Sequence, residues 1–317
     1  MRQHLKQISY VLFILPVVFI FGCSTSQKVQ ETEKSVPEKL QSALLWKIET
    51  KDVAPSYIFG TIHMIDKDEY FFTKEMEDAL ASTKELVLEI DLEDAMDLGS
   101  QISLLQKALM KGDTTLKDLV SAEDYQMIKK HFEDMGIPFF LFEKVKPMFL
   151  TIFASDDMFS GGGLDMDEIK SYELELIEKA KVQNIPVDGL ETVEYQMSIF
   201  DSIPYRAQAE MLVNSIASGE EEDTVMDTLV YYYKQQDLAK LDQLLNSDPT
   251  TNDYRHVLLD NRNSNWIPIM FRKVKTQPTF FAVGAGHLAG DYGVINLLKK
   301  QGLKLTPIRL GLAGTKI

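Results

Sequence analysis

Cysteine is nearly absent. The 317 residues contain one, Cys23. That excludes an internal disulfide and any zinc cluster built on several thiolates. Positive charge is also short: 33 Lys and Arg against 48 Asp and Glu leave a formal net charge of −15. An acidic surface repels phosphate backbones, so no nucleic acid is expected as a partner. Long apolar runs are missing beyond the first two dozen residues, which excludes a polytopic membrane protein. Also missing are H-E-x-x-H, G-x-S-x-G and G-x-x-x-x-G-K-[ST]. Gly284-Ala285-Gly286-His287-Leu288-Ala289 formally matches the dinucleotide pattern G-x-G-x-x-A. Only 28 residues follow Ala289, and none about 20 positions on is acidic, so a ribose would find no partner. What remains is an ordinary globular composition, 45% hydrophobic and 26% charged, in a chain long enough to bury a sizeable core.

The single cysteine sits at the end of residues 1–22, MRQHLKQISYVLFILPVVFIFG. Arg2 and Lys6 form a short basic start, and Tyr10 to Phe21 is apolar but shorter than a spanning helix. Ile20-Phe21-Gly22-Cys23 resembles the bacterial lipobox, with Phe21 bulkier than the usual residue there. The resemblance implies cleavage after Gly22 and lipid on Cys23, with Ser24 favouring the outer membrane. A plain signal-anchor helix is the alternative. Cleavage would remove two positive charges and no negative ones, and 31 minus 48 gives −17. Residues 23–42 are polar and aperiodic and read as a flexible tether. The folded domain is expected over 43–317.

Strands are expected at Leu44–Glu49, Ser56–Thr61, Glu85–Asp91, Ile185–Val187, Thr279–Gly284 and Lys304–Arg309. Helices are expected at Thr73–Thr83, Ala122–Met135, Met166–Gln183 and Tyr292–Gln301. A helical run from about Thr192 to Lys273 is broken near Pro204, Gly219 and Pro249. Glu220-Glu221-Glu222-Asp223 reads as the start of a solvated helix. Strands gather at the chain ends around a long helical middle. The fold class is therefore α/β (α+β), a central sheet with a large helical lobe.

Two units in this sheet echo each other. Tyr57-Ile58-Phe59-Gly60-Thr61-Ile62-His63 and Phe280 through His287 are each a strand ending in G-x-x-H and leading to a helix. A glycine at a strand end can take a positive φ and turn the chain sharply. The histidine then projects past the carboxyl edge, where open α/β sheets place ligands. Two such strands side by side would aim two imidazoles at one point, a donor set suited to a divalent transition metal. Two unrelated strand-end histidines remain the other reading. His131 and His256 lie on expected helices without such a setting.

Carboxylates supply the rest. Glu89 lies in Leu86-Val87-Leu88-Glu89-Ile90, where burying an ionised carboxylate costs on the order of several kcal/mol unless metal or Arg pairs with it. It reads as a ligand, a general base or an Arg partner; strict alternation would instead turn it to solvent beside Asp91. Glu191 follows Gly189-Leu190 at a strand-to-helix junction, a second edge position or a carboxylate serving the helix dipole. Arg262, on an amphipathic helix, could stabilise an oxyanion, orient Glu89 or form a surface salt bridge. Asp165 and Glu173 are weaker candidates. With Cys23 lipidated, a metal-activated water is the economical route to hydrolysis.

Together Ser56–His63, Leu86–Asp91, Gly189–Gln196, Arg262-Asn263 and Val283–Leu288 resemble, in order and spacing, the TraB/GumN family, which includes the Tiki proteins. The resemblance covers about residues 43–310. It implies a Tiki-type fold related to the erythromycin-esterase and ChaN-like group. It implies a divalent-metal-dependent peptidase in which His63, His287 and Glu89 are metal ligands and Glu89, Glu191 and Arg262 are catalytic. The metal would be manganese, cobalt or zinc, and the substrate a peptide or protein at the cell envelope. The rival is a non-catalytic envelope lipoprotein binding haem or metal, as in the ChaN-like relatives, or a polysaccharide-associated accessory protein.

Overall fold

The computed structural model describes residues 43–91, 104–152, 154, 169–218, 220–247 and 249–312. The leader, the tether, Cys23 and Asp165 lie outside the described residues. So does Gly219, one expected helix break.

Six strands form one sheet: β1 (Leu45–Glu49), β2 (Ser56–Thr61), β4 (Glu85–Ile90), β6 (Val187–Glu191), β7 (Thr279–Gly284) and β8 (Lys304–Ile308), in the order β6-β4-β7-β2-β1-β8. β6, β4, β7 and β2 pair in parallel, whereas β1 runs antiparallel to both β2 and β8. The parallel centre is apolar on both faces. Every residue of β7 is buried, and so are all but one of β2 and β4. Such runs need layers on both sides of the sheet. A separate two-stranded sheet pairs β3 (Met64–Asp66) with β5 (Ile169–Ser171).

The helices are α1 (Lys74–Ala81), α2 (Ala122–Asp134), α3 (Pro147–Ile152), α4 (Tyr172–Val182), α5 (Val193–Ile199), α6 (Tyr205–Ser218), α7 (Glu220–Lys234), α8 (Leu238–Ser247), α9 (Pro249–Arg255), α10 (Asn261–Thr276) and α11 (Val294–Lys300). One π-helical turn, His256–Asp260, leads directly into α10. Caps follow local chemistry. Ser121 accepts from Asp124 N and Thr192 accepts from Tyr195 N, each satisfying an orphan donor of a first turn. The acidic run at Glu220 opens α7, as expected.

Three expectations are corrected. The helix expected over Met166–Gln183 begins only at Tyr172, because Ile169–Ser171 is drawn into pairing with β3. The strand expected at Ile185–Val187 runs over Val187–Glu191, because pairing with β4 carries it on, from Val187 opposite Leu86 to Glu191 opposite Ile90. The long helical run also breaks at Gln236, whose φ is +58, without Pro or Gly. Its buried amide accepts from Leu310 N and donates to Leu310 O, so tertiary bonds fix the turn.

The main core surrounds the sheet. A second cluster, centred on Phe132, Phe139, Leu150 and Leu212, lies in the helical lobe between α2, α3 and α6. His131 belongs there, bonded to Ala154 O at 2.6 Å. Among the described residues no helix is long and apolar enough to cross a membrane.

Candidate metal centre

The four parallel strands end on one edge. β2 and β7 are neighbours, with Gly60 opposite Val283 and Thr61 opposite Gly284. The two G-x-x-H units therefore stand side by side, as the echo requires. Their glycines do something other than turn the chain. Gly284 has φ −52 and ψ 137, and neither it nor Gly60 takes a positive φ. Both positions instead lack room for a Cβ. One at Gly60 would meet Leu288 Cδ1 at 2.7 Å, and one at Gly284 would meet His63 Nε2 at 3.0 Å and Glu89 Oε1 at 3.4 Å. The positive φ falls on His63 itself, at +59. That conformation is costly for a non-glycine residue and is held by Tyr172 N, which donates to His63 O at 2.9 Å.

Glu89 is buried, 6% exposed, so strict alternation does not turn it to solvent. Its Oε1 accepts from Gly284 N at 2.7 Å and lies 3.8 Å from His287 Nε2 and 4.0 Å from His63 Nε2. Its Oε2 accepts from Arg262 Nη2. Burial raises the Glu89 pKa, but Arg262, both imidazoles and the Gly284 N–H outweigh it and hold the group well below the usual carboxylate range.

Each imidazole is anchored through Nδ1. His63 Nδ1 meets Glu173 Oε1 at 2.8 Å, and that oxygen also accepts from Thr61 Oγ1 at 2.8 Å. Burial opposes protonation of His63, yet Glu173 and then Glu89 prevail and raise its pKa to about 9. Binding a cation there requires release of that proton. His287 Nδ1 meets Asn263 Oδ1 at 2.7 Å, and burial drives His287 well below its ordinary pKa.

Arg262, 1% exposed, spends all five of its N–H donors. Nε donates to Glu191 Oε1 at 2.9 Å. Nη2 donates to Glu191 Oε1 at 2.6 Å and to Glu89 Oε2. Nη1 donates to Leu258 O and faces His287 Nε2, both at 3.1 Å. No N–H is left over for an oxyanion, so the geometry favours the orienting role over the electrostatic one, and it is no surface salt bridge. Glu191 Oε2 accepts from Trp266 Nε1 at 2.9 Å, and the Trp266 ring packs on both Arg262 and His287. Burial raises the pKa of Glu191 against the pull of Arg262. The two N–H groups it accepts from Arg262 make it the anchor of the guanidinium. Gln196 Nε2 stands 3.4 Å from both Glu89 and Glu191.

The structure thus gathers His63, Glu89, Glu173, Glu191, Arg262 and His287. Glu173, read from the sequence as a weak candidate, bonds directly to His63. Asn263, Trp266, Gln196 and Thr61 complete the arrangement and carried no functional reading of their own in the sequence. Asn263 and Gln196 lay inside the quoted segments, whereas Trp266 could have been found at i+4 from Arg262 on one helix face.

By chemistry the donors fit a divalent cation. Two imidazoles hold oxygen partners at Nδ1 and turn Nε2 toward one carboxylate oxygen, the usual outer-shell pattern. The missing Cβ of residue 284 leaves space where they converge. The separations of 3.8 and 4.0 Å exceed the roughly 3.3–3.5 Å between donors of a tetrahedral site with metal–nitrogen bonds of about 2.0–2.1 Å. Among the described residues no three His, Cys, Asp or Glu side chains already stand at ligand spacing. Arg262 Nη1 also competes for the His287 Nε2 lone pair.

Metalloprotease TIKI2 of Danio rerio is 21% identical over 338 residues, covering 89% of this chain and 64% of its own length. Metalloprotease TIKI1 of Danio rerio is 22% identical over 337 residues, covering 90% of this chain and 65% of its own. A Metalloprotease TIKI homolog of Nematostella vectensis is 19% identical over 356 residues, covering 93% of this chain and 74% of its own. The chain thus spans slightly under two thirds of the length of the two Danio rerio relatives. No solved structure gives a significant match. The family profile described as TraB/PrgY/gumN matches residues 44–307, from just before β1 to within β8, and with the mixed α/β architecture it shows that the chain belongs to the TraB/PrgY/gumN family.

Proposed function

We propose that this chain is a divalent-metal-dependent peptidase, held at the bacterial cell envelope by lipid on Cys23 and acting on peptide or protein substrates there. One observation carries the reading: His63 Nε2 and His287 Nε2 flank a single oxygen, Glu89 Oε1, at the carboxyl edge of the sheet. The names of the TIKI relatives support the reaction class, and the lipobox resemblance supports the anchor.

His63 Nε2, His287 Nε2 and Glu89 Oε1 would hold the ion, which is manganese, cobalt or zinc. Bound there, a divalent ion supplies a Lewis acid and lowers the pKa of water. Glu89 suits a ligand better than a base, because its low pKa keeps it ionised and makes it a weak proton acceptor. Arg262 holds the Glu89 carboxylate so that Oε2 is engaged and Oε1 faces the imidazoles. Glu191 and Trp266 hold Arg262 in turn.

The test is cleavage of a peptide library by the full-length protein, metal-stripped and then supplied with manganese, cobalt or zinc. Cleavage that requires metal and is lost in His63→Ala and His287→Ala supports the reading. Cleavage that survives either substitution overturns it.

A further inference from the structure

Asn263 is 2% exposed and follows Arg262 at the start of α10. Its Nδ2 donates to His287 O at 3.3 Å and to Tyr292 O at 2.9 Å. Its Oδ1 stands 2.7 Å from His287 Nδ1. These three contacts fix more than position. Carbonyl oxygens only accept, so the amide edge facing residues 287 and 292 is the NH2 edge. The opposite edge is then the amide oxygen, which also only accepts. His287 Nδ1 must therefore carry a hydrogen. At the other side of the ring, Nε2 meets Arg262 Nη1 at 3.1 Å, and a guanidinium only donates. Nε2 must therefore be bare.

We propose that Asn263 is a positioning residue that locks His287 as the Nδ1–H tautomer and pins the 287–292 turn, so that the Nε2 lone pair is aimed at the cation. The tautomer follows from the bonding alone. Only the identity of what Nε2 binds rests on the functional reading above. The two imidazoles are anchored by unlike groups, a carboxylate for His63 and an uncharged amide for His287. An amide is the side chain that can both accept from Nδ1 and donate to two carbonyls. Asp at 263 keeps the acceptor and loses both donors; Ala loses everything.

The test uses full-length protein labelled with nitrogen-15 histidine, metal-free, with His287 assigned by comparison with His287→Gln. Imidazole nitrogen shifts report the tautomer, and zinc titration reports affinity. Wild type is expected to show Nδ1 protonated and Nε2 bare at His287. Asn263→Ala is expected to lose that preference and to bind zinc about 10–100-fold more weakly. Asn263→Asp is expected to recover the tautomer and most of the affinity. An Nε2–H tautomer in wild type overturns the proposal, whether or not the variants fold. So does a tautomer and affinity unchanged in Asn263→Ala. Equal losses in Ala and Asp variants also overturn it, because they leave Asn263 only its contacts to the two carbonyls. A tautomer that shifts in Asn263→Ala while wild type takes up neither zinc, manganese nor cobalt supports the tautomer assignment and overturns the metallopeptidase reading instead.

Discussion

A Cβ added to residue 284 would lie 3.0 Å from Nε2 of His63. Two residues 221 positions apart are thus matched in shape as well as chemistry, because β2 and β7 are neighbours in the sheet. Gly284→Ala is expected to cost about 1–3 kcal/mol of stability by overpacking. It is expected to abolish metal uptake even where the fold survives. Denaturant unfolding and metal titration of the same variant check both. A variant that binds metal like wild type would show that the space beside His63 Nε2 is not used.

Arg262→Met is expected to be among the most damaging single substitutions. It leaves Glu89 and Glu191 buried without their cation, at a cost of roughly 3–5 kcal/mol. Arg262→Lys is expected to rescue little, since one ammonium cannot reproduce a fork bonded to two carboxylates, a carbonyl and an imidazole. Urea unfolding midpoints of both variants measure this.

Glu173→Gln separates placement of His63 from its ligation. The amide keeps an oxygen for Nδ1 but loses the negative charge beside the ring. At a pH above about 9, where His63 holds no competing proton in either protein, metal affinity is expected to fall about 10–100-fold, with the thermal midpoint shifting by only a few degrees. Calorimetric titration of metal-free protein checks it. An unchanged affinity would remove Glu173 from the site.

Elsewhere on the same strands, Lys273 Nζ joins Glu85 at 2.8 Å and Asp188 at 2.6 Å, tying β4 and β6 to α10. Burial raises the pKa of Asp188, but Lys273 outweighs it and lowers it below its ordinary value of 3.8. A lowered carboxyl pKa contributes stability above the unfolded value and loses it as pH falls through the folded one. The Asp188 carboxylate is half exposed, so solvent screening keeps the cost of Asp188→Asn within about 1 kcal/mol at pH 7. That cost is expected to shrink as pH falls below about 3.8. Unfolding midpoints of wild type and variant at both pH values test the sign.

Much of the site was legible because its chemistry is written in short segments. G-x-x-H occurs twice at the ends of strands dense in β-formers, and a lone Glu inside Leu-Val-Leu-Glu-Ile has few fates other than pairing. The outer layer was not legible. Asn263 and Trp266 act through bonds to His287 and Glu191, which lie 24 and 75 residues away. The role of the glycines was misread for a related reason: a missing Cβ reports a close neighbour only when that neighbour is known. Residues 169–171 resemble a helix start in isolation, and pairing with β3 decides otherwise. Likewise Gln236 turns the chain through bonds to Leu310, 74 residues on.

His63 and His287 are proposed to serve one cation site. Cobalt titration of the metal-free full-length protein, followed by visible absorption, tests it most directly. Wild type is expected to take up one cobalt per chain, and His63→Ala and His287→Ala are each expected to lose it. Full cobalt uptake by either single variant would contradict it.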